Sequence, residues 1–324
     1  MSARIVACGA LAPLGRNPLQ VAMCARARRL VPASLELRDH RGRRVGACVT
    51  PGLPPLELSG FDRLVELGAR AILQAAPRKR APIAVMLAVA EPGRPDDDPR
   101  LDVEILAAIA ARAGIVLDSK RSQVFREGHA GGALALEAAL AVLPDPVLVG
   151  GIDSYVHADV LSWLDAEMRL HAHDVDDGFI PGEGAAFLLL ADEGPHAPHW
   201  EVASLRNAPE TSWFRDEPNV GEAMTNIVHG LREVGPIGWV MSDVNGQRAR
   251  VLEWAMVQTR ALERAITHVR LPELLGDVGA ASGPLMCALA DVWLRTGCAP
   301  AERALLALHS DGAARGGVLL EARA

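Results

Sequence analysis

Arg126-Glu127-Gly128-His129-Ala130-Gly131-Gly132 runs without a break into the apolar segment Ala133 to Leu143. From Gly128 onward the stretch holds only two ionisable groups, His129 and Glu137. A helix here has almost no face for water and belongs inside the protein. Gly131 and Gly132 each cost roughly 1 kcal/mol of helix propensity against Ala, which packing must offset: residues without side chains let another backbone come close. His129 then stands at the N-terminus of a buried helix, where free N–H groups and the macrodipole favour negative charge. Pro146 to Gly151 (PVLVGG) follows as a continuous apolar strand stopped by two glycines. An apolar helix set between strands is a βαβ unit, which predicts a parallel sheet covered on both faces.

Working outward, Arg4 to Leu11 reads as a short buried strand closed by a Pro13/Gly15 turn, and Pro18 to Arg29 as a helix. Residues 35–60 carry several Pro and Gly and show no clear period. Phe61 to Ala76 is an amphipathic helix with Leu64, Leu67, Ala71 and Ala75 on one side, Ile83 to Ala90 a buried strand, and Val103 to Gly114 a further helix. Gly178 to Gly184 (GFIPGEG) is a tight turn before the strand Ala185 to Ala191. Residues 192–199 form the best linker in the chain. The alternation then repeats: strand Val202 to Leu205, helix Gly221 to Val234, strand Gly238 to Ser242 and a long helix from Ala249 to Val269. The turn Gly276 to Gly283 opens the apolar helix Pro284 to Thr296. Strands Ala304 to Leu308 and Val318 to Ala322 flank the glycine-rich turn Ser310 to Gly317. Two α/β halves in matching order predict a duplicated architecture divided into residues 1–193 and 194–324.

A chain of 324 residues, half of them apolar and 23% charged, is globular in class. Aromatics make up only 4%, with Tyr155 the single tyrosine, so the core must be built of Ala, Leu and Val. A net charge of -7 argues against a nucleic-acid surface, and Arg78-Lys79-Arg80 between Pro77 and Pro82 reads as a solvated turn. Five scattered cysteines without ligand spacing predict reduced thiols in a cytoplasmic protein. No apolar run reaches the length of a membrane span, and the apolar run of the N-terminus is too brief for a signal peptide.

Asp177-Gly178-Phe179-Ile180-Pro181-Gly182-Glu183-Gly184-Ala185 closely matches the "DGFvxGEGA" segment of the β-ketoacyl synthases of the thiolase superfamily. Order, spacing and the strand that follows all agree. Ile5 to Gly15 resembles that family's opening strand and "spLG" turn, and Leu148 to Ser154 (LVGGIDS) resembles the strand after its catalytic helix. The resemblance covers most of the chain and breaks at the catalytic positions. His129 stands where the family has its nucleophilic cysteine, Asn245 in place of the first active-site histidine, and Asp277 in place of the second. Asp311, between Ser310 and Gly312, takes the place of the gating phenylalanine. Glu183, flanked by Gly182 and Gly184, reads as structural support for the site. The resemblance implies a thiolase-like α/β fold, two fused pseudo-symmetric halves in αβαβα layers. It also implies a homodimer, or a heterodimer with a related ketosynthase, paired through the strand at Pro146 to Gly151. An acyl carrier protein is the further partner, with no cofactor and no metal.

Claisen condensation needs a thiolate to carry the acyl chain and donors to hold the enolate oxygen. An acyl-imidazole on His129 would hydrolyse readily, and an ionised Asp277 would repel the oxyanion. Condensation is therefore not expected. Three functions remain in view: a non-condensing partner or acyl-binding subunit, an acyl-thioester hydrolase or acyltransferase using His129, and, least expected, an active 3-oxoacyl-carrier-protein synthase. A histidine that merely fills the space of a lost cysteine is the bland alternative. The helix terminus and apolar flanks predict a neutral ring with a pKa below about 6.5, bordering a pocket, with Asp277 acting in the opposite sense if it lies within reach. A metal at His157, His171, His173, Asp174, Asp176 and Asp177 is disfavoured by spacing.

Overall fold

The computed structural model describes residues 3–28, 30–77, 81–172, 174–194, 198–212, 219–263 and 265–323. The first half runs β1 (Arg4–Leu11), α1 (Pro18–Arg26), β2 (Ala33–Arg38), β3 (Arg44–Ala47), α2 (Gly60–Ala75), β4 (Ala84–Ala88), α3 (Arg100–Val103), α4 (Ile105–Ala113) and β5 (Gln123–Phe125). It continues through a one-turn segment Gly128–Ala130 into α5 (Gly131–Leu140), then β6 (Val147–Ser154), α6 (Ala158–Ala166) and β7 (Glu183–Ala191). The second half runs β8 (His199–Pro209), α7 (Glu222–Arg232), β9 (Trp239–Ser242), α8 (Arg248–Ala261), β10 (Thr267–Arg270) and α9 (Leu271–Leu275). A second one-turn segment, Gly279–Ala281, leads into α10 (Ser282–Arg295), β11 (Arg303–His309) and β12 (Ala314–Arg323).

The strands lie in the order β5-β4-β6-β7-β1, then β8-β12-β11-β9-β10, and the two fives meet through one residue pair, Arg4 with Glu201. Each half has the same plan. Its first strand lies antiparallel to its last (β1 with β7, β8 with β12), and the last lies antiparallel to the fourth. The fourth is parallel to the second, and the second to the third. Strands β4, β6 and β7 are buried at every residue, because helices cover both faces of their sheet. On the outer face of the first sheet, Leu64, Leu67 and Ile72 of α2 and Ile109 of α4 pack against Leu148, Ile152 and Phe187. On the outer face of the second, Met224, Val228 and Leu231 of α7 and Trp254 and Val257 of α8 pack against Val240, Leu305 and Leu319. Between the sheets lie α5 and α10, with Ala133, Leu136, Leu285, Met286 and Leu289 in one shared core. The layers are αβαβα, a thiolase-like α/β fold. Ser282 to Trp293 is buried at every position, as a middle-layer helix requires.

The two central helices touch through backbone. A Cβ on Gly132 would meet Pro284 Cδ at 2.9 Å and Gly283 Cα at 3.3 Å. Gly128 and Gly279, at equivalent turns ahead of α5 and α10, both adopt left-handed φ, at 54° and 51°.

Several sequence expectations need correction. The predicted helix Ala249 to Val269 ends at Ala261, where Leu262 turns extended; β-branched Thr267 and Val269 then join a parallel pairing with β9. Residues 35–60 are not featureless, since β2 and β3 form a hairpin. β8 extends well beyond Val202–Leu205 because β12 pairs along its length. The strand at Pro146 to Gly151 cannot pair across a dimer, because β6 is interior with β4 on one side and β7 on the other. The outer edge of that sheet is β5. The Arg78–Arg80 turn, His173 and linker residues 195–197 lie outside the described residues.

Candidate functional site

His129 enters the site from the turn ahead of α5, and that turn is clamped from the opposite half. Ser310 Oγ accepts from the Ala130 N–H at 3.0 Å and donates to the Glu127 carbonyl. Asp277 is placed by the loop that carries Gly182. The Asp277 N–H donates to the Ile180 carbonyl at 2.8 Å, and the Gly182 N–H donates to the Asp277 carbonyl at 2.8 Å. Glycine is needed at 182, since a Cβ there would sit 2.9 Å from the Leu275 carbonyl oxygen. Gly184 is similarly tight against Leu285 and the Leu11 carbonyl.

Three sequence-selected residues meet here. His129 Nε2 donates to Asp277 Oδ1 at 2.7 Å, the Gly279 N–H donates to the same oxygen at 2.9 Å, and Asn245 Nδ2 donates to Asp277 Oδ2 at 2.6 Å. All three side chains are buried. On the other side of the ring, Arg250 Nη2 lies 3.4 Å from His129 Nδ1, a long contact that opposes charging of the imidazole. Burial opposes it further, but the Asp277 carboxylate outweighs both and raises the His129 pKa above its ordinary value. The expected lowered pKa is thereby overturned. Asp277 responds in kind: burial works against its charge, yet His129 and Arg250 hold its pKa down at about 2.

The lattice extends outward. Arg250 donates to Asp311 at 2.7 Å and lies 3.7 Å from Asp243, which pairs with His309 at 2.8 Å. Arg169 donates to the other Asp311 oxygen at 2.7 Å. Against the pull of burial, Arg250 and Arg169 keep the Asp311 carboxyl far below the usual range. The Gly312 N–H donates to Glu91 at 2.8 Å; burial first, then the charge of Asp311, push the Glu91 carboxyl up.

A cavity of about 420 Å³ opens in front of this lattice, bordered by His129, Glu91, Arg94, Tyr155, Arg169, Arg250 and Asp311. His129 is 2% exposed, so it forms part of the cavity floor and is almost fully covered. Glu91, Arg94, Arg169 and Arg250 were not singled out from the sequence. The signal for Arg250 was present: it shares the buried stripe of α8 with Glu253, Trp254, Val257 and Ala261, charged residues in register with apolar ones.

Glu183 lies elsewhere, completely buried. It takes Arg63 by both oxygens (2.5 and 2.7 Å), the Thr50 N–H at 2.7 Å and Ser154 Oγ at 2.8 Å. Its bonding capacity is used within the fold. Of the disfavoured metal residues that the structure describes, His157 accepts from the Asp159 N–H as the cap of α6, and Asp174 binds Arg41, Arg43 and His40. Among the described residues no group of three or more His, Cys, Asp or Glu is arranged to hold a metal.

No family model and no curated protein matches the chain. Solved structures do. A chain of the ishigamide ketosynthase/chain length factor superposes with a TM-score of 0.72 at 19% identity, covering 99% of both chains. The fold is that of a ketosynthase. The ketosynthase ApeO in complex with its chain length factor ApeC, from Xenorhabdus doucetiae, gives a TM-score of 0.76 at 16% identity over 99% of this chain and 98% of that one. AntDE:AntF, a type II PKS acyl-carrier protein in complex with its ketosynthase bound to the hexaketide, gives 0.77 at 14% identity over 100% and 99%. Within the ketosynthase fold, this chain puts a buried imidazole–carboxylate pair on the floor of its cavity.

Proposed function

We propose that this chain is a non-condensing, ketosynthase-shaped subunit that works as the partner of a related, cysteine-bearing ketosynthase. One observation carries the proposal: both nitrogens of His129 are engaged, Nε2 by Asp277 and Nδ1 by the facing Arg250. Nucleophilic attack needs a free lone pair, and this ring offers none without breaking a buried pair. His129, Asn245 and Asp277 are proposed as the remnants of the condensing positions. Ser310, Asp311, Gly312, Glu183, Gly182 and Gly184 are proposed as their supports. Two of the similar structures are described as ketosynthase with chain length factor and one as a complex with a carrier protein, which supports a heterodimer and an acyl carrier protein as further partner. The free edge at β5 is the place on this chain for a partner's strand. The division at residues 193/194 and a cytoplasmic setting with reduced thiols belong to the same proposal; among the described residues no helix is long and apolar enough to cross a membrane.

The test is to incubate the purified chain with malonyl-loaded carrier protein and an acyl donor, alone and co-expressed with a cysteine-bearing ketosynthase. No β-ketoacyl product is expected from the chain alone, and the two subunits are expected to co-purify. A condensation product from the chain alone would refute the proposal. Thioester hydrolysis that disappears in His129→Ala would favour the hydrolase alternative instead.

A further inference from the structure

A second cavity, of about 550 Å³, lies on the far side of Asn245 and shares no bordering residue with the first. Its walls come from the loop at Gly178–Ile180, the turn at Val244–Gly246, the outer part of α8 and the start of α9. The two loops are locked together, since a Cβ on Gly246 would sit 2.4 Å from the Gly178 carbonyl oxygen. That part of the wall is backbone packed against backbone. Its size falls within the roughly 300–1,000 Å³ usual for small-molecule sites.

The chemistry of the walls is uneven. Phe179, Val244, Val251, Trp254 and Pro272 supply apolar surface. Trp254 is 2% exposed, with its indole nitrogen sealed away from the cavity, so it offers ring carbon alone. At the rim, Arg270 uses only Nη1, on Glu273 at 2.6 Å; its Nε and Nη2 bond no other described residue. Glu273, also on the border, takes one donor of the guanidinium and leaves Nε and Nη2, and an apolar wall with these donors at its mouth calls for an apolar body carrying an anionic acceptor.

We propose that this cavity binds a small amphiphilic carboxylate, its hydrocarbon against Trp254 and Val251 and its carboxylate toward Arg270. Asn245 lies on its wall, but the proposal rests on Val251, Trp254 and Arg270 and on neither His129 nor the β5 edge, so it stands apart from the partner reading above.

Isothermal titration of the full chain with octanoate tests it, with octanol as the uncharged analogue. Saturable binding is expected with a Kd near or below about 1 mM, a strength appropriate to a ligand of this size. Octanol is expected to bind at least about tenfold more weakly, because it lacks the charge that the guanidinium recognises. Ala255 borders the cavity and is exposed, so Ala255→Trp fills the space without disturbing the core. It is expected to abolish binding while leaving the circular dichroism spectrum and Tm unchanged. Arg270→Gln is expected to weaken octanoate about tenfold and octanol hardly at all. Absence of saturation, equal affinity for octanol, or octanoate binding that survives Ala255→Trp would each overturn the proposal.

Discussion

The His129–Asp277 pair sets the electrostatics of the site, and its consequences are measurable. An NMR titration of the His129 imidazole is expected to give a pKa above about 6.5 in the wild type, falling in Asp277→Asn, where burial and Arg250 are opposed by Asp243 without the paired carboxylate. A wild-type value that does not move in the variant would dissolve the pair. The same shifts make stability depend on pH. The raised pKa of His129 contributes stability that is fully present below about 6.5 and lost as pH rises through the folded value. Asp277, lowered to about 2, contributes stability that is fully present above about 3.9 and lost as pH falls toward that folded value. The Tm gap between wild type and Asp277→Asn is therefore expected to be widest between about pH 4 and 6.5 and to shrink on both sides. Glu183 makes a plainer case. Arg63→Met leaves a completely buried carboxylate without its cation, and chemical denaturation is expected to show a loss of about 3–5 kcal/mol.

At the scale of elements, the decisive contact joins the starts of α5 and α10. The glycine pair after His129 announced a close backbone approach, and Gly132 does lie against Gly283 and Pro284. What the sequence lacked was the partner, about 150 residues away along the chain, because only the stacking of the two halves brings the central helices side by side. Gly132→Val puts branched carbon where 2.9 Å separates a bare Cβ from Pro284, so overpacking of at least about 1–3 kcal/mol is expected, read as a lower Tm. The displacement should reach His129, and its imidazole resonance is expected to shift in the same variant. α8 teaches a related point: its buried Arg250 and Glu253 fall on the apolar stripe, yet their placement is intelligible only once Asp311 and Arg315 arrive from the last β-turn.

For the whole molecule, the doubled strand order leaves one edge at β5 and the other at β10. The edge at β5 runs directly into the His129 turn, and the partner proposed above would pair there. Val124→Pro removes a ladder N–H from that edge. It is expected to abolish co-purification with a ketosynthase partner, measured by light scattering of the mixture, while Tm falls by only a few degrees. A complex of unchanged mass would place the interface elsewhere.

The sequence by itself determined the α/β class, the duplication and the apolar middle layer. Hydrophobic period and continuous apolar runs are local properties, and they survive without any knowledge of contacts. It also picked out His129, Asn245 and Asp277, which the fold brings into one hydrogen-bonded cluster. The interior place of β6, the end of α8 at Ala261 and the upward shift at His129 were decided only by tertiary structure. Each depends on a neighbour distant in the chain: β4 and β7 on either side of β6, β9 beside Thr267–Arg270, and Asp277 at 2.7 Å from the imidazole. Helix dipole and burial are legible near a residue in sequence. A carboxylate 148 positions away is not, and at hydrogen-bonding distance in a dry interior it outweighs both.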